Sequence, residues 1–290
     1  MLSNIFFNEE RQKKYRFEQM VFMKVNSVPI NSTNTACDYT VNKVEDGFGN
    51  IYYNVKAEGQ YIESQPDTHT AMMKMVNNVQ LAMQKNITFL VSSETGNIQK
   101  IINHHELLDE WSRYRNDFLS EYDFVRSDEN KGYIVSFLDE NEKIINNEQM
   151  LIKTINAQLF FNLFFNRHLV KVDSKLYEYR QSFHSQLFSG HVCSLKMQSK
   201  IGRETREYIE LLNKSELDEK SVNTDAILGL YNEKYQPIVR YPFSKYEAEY
   251  NTNIILHPES LLIQSAQIEL SESVKNNLAL VANGRLKEIQ

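Results

Sequence analysis

The sequence predicts an α+β fold: a curved antiparallel sheet built from both ends of the chain and packed against about three central helices. Three observations predict it. Through roughly the first third of the chain, apolar residues recur at every second position, the period of a strand with one buried face. Through the centre the spacing lengthens to three and four, the period of an amphipathic helix. From Lys175 onward the period returns to two. An antiparallel sheet can be covered on one face and wet on the other, as such alternation requires. With 41% hydrophobic and 24% charged residues the chain is globular. Only 9 glycines and 5 prolines leave little material for a long linker. A single domain over 1–290 follows, with a softer division near 170 between strands plus helices (1–170) and a mainly stranded part (171–290).

Tyr15, Phe17, Val21, Met23 and Val25 share one parity and Arg16, Glu18 and Lys24 the other, so a strand opens the fold. Tyr39 and Val41 begin a second. Asp46-Gly47-Phe48-Gly49-Asn50 is a turn, because its glycines accept positive φ and its Asp and Asn bond locally. Ile51, Tyr53, Val55 and Ala57 return from it, and Pro66 and Asp67 stop the strands. Met72, Val76, Val79 and Met83 mark one face of a helix. A short strand from Ile87 to Val91 follows, closed by the turn Glu94-Thr95-Gly96-Asn97. A second helix starts near Asn103, with Leu107, Trp111, Tyr114, Phe118 and Tyr122 on one face. A third is predicted from about Glu142 to Arg167 on the stripe Ile145, Ile152, Leu159 and Leu163. Its second half carries Phe160, Phe161, Phe164 and Phe165. That half is apolar nearly all round and must be covered on most sides.

Tyr177, Tyr179, Phe183 and Leu187 alternate next, Gly190 permits a turn, and Cys193, Leu195, Met197 and Ile201 alternate until Gly202. Tyr208–Leu212 reads as a further strand and the polar run Asn213–Asp225 as a loop. Tyr246, Ala248, Tyr250, Thr252, Ile254 and Leu256 give the cleanest alternation in the chain. His257-Pro258 turns it into a strand through Leu262, Ala266, Ile268 and Leu270. Asn276–Ile289 fits either a final strand pair or a short helix.

Motifs for chemistry are sparse. Asn103-His104-His105-Glu106 places two imidazoles side by side. Adjacent helical residues point about 100° apart, so they do not converge on one ion, and the segment reads better as an imperfect capping box, Asn103 with Glu106. His191 and Cys193 share a strand face, with Val192 on the other. His184 would have to join them across a hairpin to make a zinc site, and a fourth ligand is missing, so no metal is assigned. His69, His168 and His257 stand near element ends. Nucleotide-binding loops, a GxSxG elbow and HExxH are absent from the sequence. No catalytic residue and no cofactor are assigned. Cys37 and Cys193 lie far apart in apolar-alternating stretches and read as buried free thiols, which suits a reducing compartment. Met72, Met73, Met75 and Met83 concentrate on one helix and read as core filling.

The net charge of −6 argues against nucleic acid as a partner. The short basic runs Arg11–Arg16 and Gly202–Arg206 are diluted by acidic and polar neighbours and read as solvated faces. No membrane span is expected: the densest apolar run, Ile155–Phe165, is about half of the ~20 residues a spanning helix needs. The apolar start Met1–Phe7 is followed at once by Glu9, Glu10 and Arg11, too short for a signal peptide, so the expected location is cytoplasmic, although a removed export signal would leave the same sequence. The Asn-, Lys- and Ile-rich composition fits an AT-rich bacterial genome. The function expected first is a non-catalytic protein-interaction module: an adaptor, an assembly subunit or the neutraliser of a toxic partner, holding a basic protein on a sheet edge or acidic face. The alternative is a carrier of an apolar ligand in a cavity between sheet and aromatic helix, with Phe160, Phe161, Phe164 and Phe165 as its walls. A third reading is an enzyme whose residues are scattered in sequence.

Overall fold

The computed structural model describes residues 12–65, 70–121, 128–165 and 176–289. The fold opens with β1 (Lys13–Val25), β2 (Val28–Glu45) and β3 (Ile51–Gln65). Asn26 and Ser27 both take positive φ, 49° and 67°, the conformation a two-residue hairpin loop needs to match strand twist. The turn at 46–50 forms as its chemistry predicts. Asp46 Oδ1 accepts from the backbone N–H of Phe48 and of Asn50, each at 2.9 Å, and Gly49 takes φ 81°. β2 begins eleven places before Tyr39: Asn31 to Thr35, polar and half-exposed, pair with β1 in continuous register. Pro66, Asp67 and His69 lie outside the described residues, as do Arg11, Tyr122, Arg167 and His168.

The central stretch holds α1 (Thr70–Gln84), β4 (Asn86–Val91), β5 (Ile98–Ile101), α2 (His104–Glu121), α3 (Asp128–Asn146), α4 (Glu148–Asn156) and α5 (Leu159–Phe164). The single helix expected from Glu142 to Arg167 is therefore three segments. Asn147 leaves helical geometry (φ −113°, ψ 103°) and caps α4, its Oδ1 accepting from the Met150 N–H at 3.1 Å. A second break falls at Gln158, which is extended at φ −80°, ψ 134°. The apolar stripe continues across both breaks, so periodicity alone could not see them.

The chain then lays down β6 (Leu176–His184), β7 (Val192–Glu204) and β8 (Ile209–Leu217), a 3-10 turn at Glu219–Ser221, α6 (Thr224–Lys234), α7 (Gln236–Val239), β9 (Tyr246–Leu256), β10 (Ile263–Val274) and β11 (Leu278–Ile289). Gly202 does not end its strand; a register shift between Ile201 and Glu204 absorbs it. The predicted loop Asn213–Asp225 is a strand for its first five residues and enters α6 at its end. Asn213 and Ser215 occupy inward positions and bond inside: Ser199 Oγ donates to Asn213 Oδ1, Asn213 Nδ2 donates to Thr252 Oγ1 at 2.7 Å, and Ser215 Oγ accepts from the Tyr250 N–H at 2.6 Å. Asn276–Ile289 resolves as one strand preceded by a turn.

Among the described residues, all strands belong to one 11-stranded antiparallel sheet in the order β5-β4-β3-β2-β1-β11-β10-β9-β8-β7-β6. The two ends of the chain meet at its centre, where β1 pairs with β11 from Lys14↔Ile289 to Val25↔Leu278. The α+β class with an antiparallel sheet is thus observed. Its inner face is apolar and aromatic: Tyr15, Phe17, Tyr39, Tyr53, Phe89 and Tyr250 are all buried there, while Arg16, Glu18 and Lys287 face outward. The helical complement differs from expectation. Five helical segments, not about three, lie in the centre, and α6 and α7 add two more among the described residues.

Candidate functional site

The concave face of the sheet is occupied by α5. Phe160, Phe161, Phe164 and the residue that ends the helix, Phe165, are at most 3% exposed. Phe160 stacks on Tyr39 with ring centres 3.7 Å apart and planes 7° from parallel. Phe164 meets Tyr15 and Tyr53 edge-on at 5.4 and 6.0 Å. Phe165 meets Tyr53 and Phe89 at 5.2 and 5.1 Å. The four residues expected as cavity walls lie together, and here their own rings fill the hollow.

What holds α5 in place is partly polar. Gln84, at the end of α1, and Gln158, just before α5, exchange amide hydrogen bonds in both directions, at 2.9 and 3.0 Å. Asn162 Oδ1 accepts from Gln181 Nε2 on β6 at 2.8 Å. The start of α5 has no side-chain cap, unlike α4 and α6, which begin at bonded asparagines.

Beside α5 lies a cleft of about 550 Å³. Asn97 and Ile98 line one wall and Arg180 and Ser182 the other, with Asn162 and Phe165 between them. β5 and β6 stand at opposite ends of the strand order, so the sheet curls until its two ends face each other across α4 and α5. The edge at β5 is covered rather than open, since the Ile101 N–H donates to Glu148 Oε1 on α4 at 2.7 Å. A void of about 20 Å³ adjoins the cleft, between Leu159, Asn162 and Tyr250.

Several buried polar atoms in this interior lack a partner among the described residues, including the hydroxyls of Tyr15, Tyr53 and Tyr250. Burial pushes all three phenols up from their ordinary pKa, so they stay protonated. Sequence patterning places these tyrosines inward but is silent on whether the hydroxyl finds an acceptor.

A second polar cluster sits where β9 and β10 meet the 185–191 turn. Glu272 is fully buried. Its carboxylate accepts from Ser185 Oγ, from the N–H groups of Gln186 and Leu187 at 2.7 and 3.1 Å, and from the Tyr246 hydroxyl at 2.9 Å. Burial raises its pKa in spite of these donors. Cys193 and His191 are buried nearby, and Val192 points outward at 46% exposure, the alternation expected for this segment. His184 faces the cleft instead. The two histidines and the thiol do not converge, and no group of three His, Cys, Asp or Glu able to hold a metal occurs among the described residues. Both cysteines are buried free thiols, pushed up to about 11 by burial.

The Asn103 segment is structural, though not as a capping box. Asn103 Oδ1 accepts from the Thr88 N–H at 2.8 Å and its Nδ2 donates to the Asn86 carbonyl at 2.9 Å, so its amide ties α2 to β4. His104 Nε2 donates to the Ile145 carbonyl at 2.6 Å, while His105 is exposed beside Asp109. His257 sits between Glu288 and Gln264. Two residues of the first basic run are engaged: Arg16 forks onto Asp38 and Lys13 reaches Glu288. Among the described residues no helix is long and apolar enough to cross a membrane.

No family model matches the chain, and no curated protein matches it. Among solved structures, that of lipid–protein interactions in lipovitellin matches with a TM-score of 0.52 at 9% identity, over 98% of this chain and 26% of that one. The likeness is one of fold, and the chain spans about a quarter of that protein's length. A DUF1329 family protein from Desulfovibrio piger ATCC 29098 aligns over 96% of this chain and 86% of its own at 6% identity, with a TM-score of 0.17, too low to bear on the fold.

Proposed function

We propose that the chain binds an apolar, acyl-bearing ligand in the hollow of its curved sheet, the ligand taking the place that α5 holds here. The observation that carries this reading is α5 itself. The hollow is closed by a six-residue segment, bounded by non-helical residues and tethered by side-chain amides. Magnitudes permit the exchange. Burying a Phe side chain is worth about 1.5–3 kcal/mol, so withdrawing four costs roughly 6–12 kcal/mol. An acyl chain of about 14 methylenes returns ~11 kcal/mol at ~0.8 kcal/mol each. The fold likeness to lipovitellin, whose structure concerns lipid–protein interactions, supports the same reading.

The test is direct. Native mass spectrometry of the freshly isolated chain, followed by fluorescence titration with a pyrene-labelled twelve-carbon acyl methyl ester, should give an adduct of lipid mass and saturable one-to-one binding. A chain that carries no adduct and gives no saturable signal would remove the proposal.

A protein partner finds support at the tip of the β1–β2 hairpin, where Val28 and Ile30 are 62% and 48% exposed. Under that reading Val28→Ser with Ile30→Ser would lose a stoichiometric companion that the unaltered chain retains on isolation from its host. An unaltered chain that is always isolated alone would count against it.

A further inference from the structure

Building on the acyl-ligand reading, we infer that Tyr15 and Tyr53 are the recognition point for an uncharged carbonyl at the head of that ligand, an ester or amide rather than a carboxylate. Both residues are 0% exposed, and neither hydroxyl has a hydrogen-bond partner among the described residues. A buried hydroxyl without a partner costs free energy that phenylalanine would avoid at the same position. The surrounding core uses phenylalanine freely, at Phe17, Phe89 and throughout α5.

The two phenols flank one side chain. Tyr15 and Tyr53 both lie edge-on to Phe164, at 5.4 Å and 78° and at 6.0 Å and 82°. A group that replaces the Phe164 ring therefore comes between the two phenol rings. The cleft lies one ring away, because Phe165 lines it and packs on Tyr53 at 5.2 Å. Tyr250 is a useful contrast. Its hydroxyl is unpartnered too, but the residue lines the void of about 20 Å³, room for a single water. Neither that void nor the cleft reaches Tyr15 or Tyr53.

The charge of the ligand head follows from the surroundings. Both phenols are held protonated by burial, and Glu288 adds negative potential at Tyr15. They can donate to an acceptor, but they offer no cation to a carboxylate, whose burial without one is costly. A neutral carbonyl accepts two hydrogen bonds through its lone pairs, which matches two donors.

The experiment compares two probes, the pyrene-labelled acyl methyl ester and 1-dodecylpyrene, which has no acceptor. Tyr15→Phe, Tyr53→Phe and the double variant remove only oxygen. The double variant should bind the ester about tenfold more weakly, as expected for two modest hydrogen bonds. It should bind dodecylpyrene within about twofold of the unaltered chain, and its melting temperature without ligand should be equal or higher. Unchanged ester affinity in the double variant overturns the inference and leaves acyl binding standing, as does equal weakening of both probes. Binding of neither probe by the unaltered chain removes the underlying reading as well.

Discussion

Glu272 shows how a single residue can depart from the pattern around it. Its inward neighbours on β10 are Ile268, Leu270 and Val274, all buried. The alternation places position 272 inside, but nothing in the sequence says that four donors wait there. They come from a turn more than eighty residues earlier and from the adjacent strand. Glu272→Ala leaves Ser185, Gln186, Leu187 and Tyr246 without their acceptor in a dry site. We expect a loss of about 3–5 kcal/mol in urea unfolding, since several buried donors each lose an acceptor at about 1–3 kcal/mol and the site can relax in part. The pH dependence has a definite sign. Because folding raises the pKa of Glu272, the native state holds its proton more tightly than the unfolded chain. The residue's contribution is complete below the unfolded pKa and is lost as pH rises through the folded one. Glu272→Gln cannot ionise, so the stability difference between it and the unaltered chain should change over that window and be flat below it. Parallel stability profiles would show that the carboxyl titrates as it does in the unfolded chain. Gly284 makes a simpler case on the same inner face: a Cβ there would lie 3.1 Å from the Phe17 ring and 3.2 Å from Ile268 Cδ1. Gly284→Ala should therefore cost about 1–3 kcal/mol by overpacking, read from the denaturation midpoint.

Among elements, strands with apolar inner faces were legible and those with polar ones were not. β9 could be read residue by residue because Tyr246, Ala248, Tyr250, Ile254 and Leu256 all point into the core. β8 is legible only through Leu212; its second half reads as loop because two of its inner positions are Asn213 and Ser215, satisfied by partners far away in sequence. β5 spans only Ile98–Ile101, too short for periodicity to register. Periodicity finds the aromatic segment with its four phenylalanines but places it at the end of a long helix, since a break costs the apolar pattern nothing. That break makes α5 a separate element and gives it its own stability. Gln158→Ala would strip the buried Gln84 amide of both reciprocal bonds, a cost of about 1–3 kcal/mol. If α5 opens by itself, backbone amide exchange in Leu159–Phe165 should quicken in this variant while Leu107–Phe118 of α2 keeps its protection. Equal acceleration in both helices would mean that α5 opens only when the whole core does, and the exchange of α5 for a ligand would lose its physical basis.

At the scale of the whole molecule, the decisive feature is the β1–β11 seam, which joins segments more than 250 residues apart. The softer boundary read near residue 170 coincides with a change in local pattern. Yet the first three strands and the last three are hydrogen-bonded into one sheet, and β6 to β8 continue it. Patterning reports which face of a strand is buried; it does not report which strand lies alongside, so a sheet built from both ends is expected from the sequence but the β1–β11 pairing is not. A sheet joined in this way should unfold as a unit, and the chain carries its own reporters. Trp111, its single tryptophan, is buried on α2, Cys37 lies on β2 and Cys193 on β7, all at most 6% exposed. In Cys37→Ser the remaining thiol reports the C-terminal strands, and in Cys193→Ser it reports the N-terminal ones. Each thiol is shielded until its strand opens. With urea, we expect Trp111 fluorescence and both thiol reactivities to change at one midpoint, the test of a cooperative transition. Reaction of Cys193 at lower urea than the Trp111 transition would divide the molecule at the seam into two independently unfolding parts of one sheet.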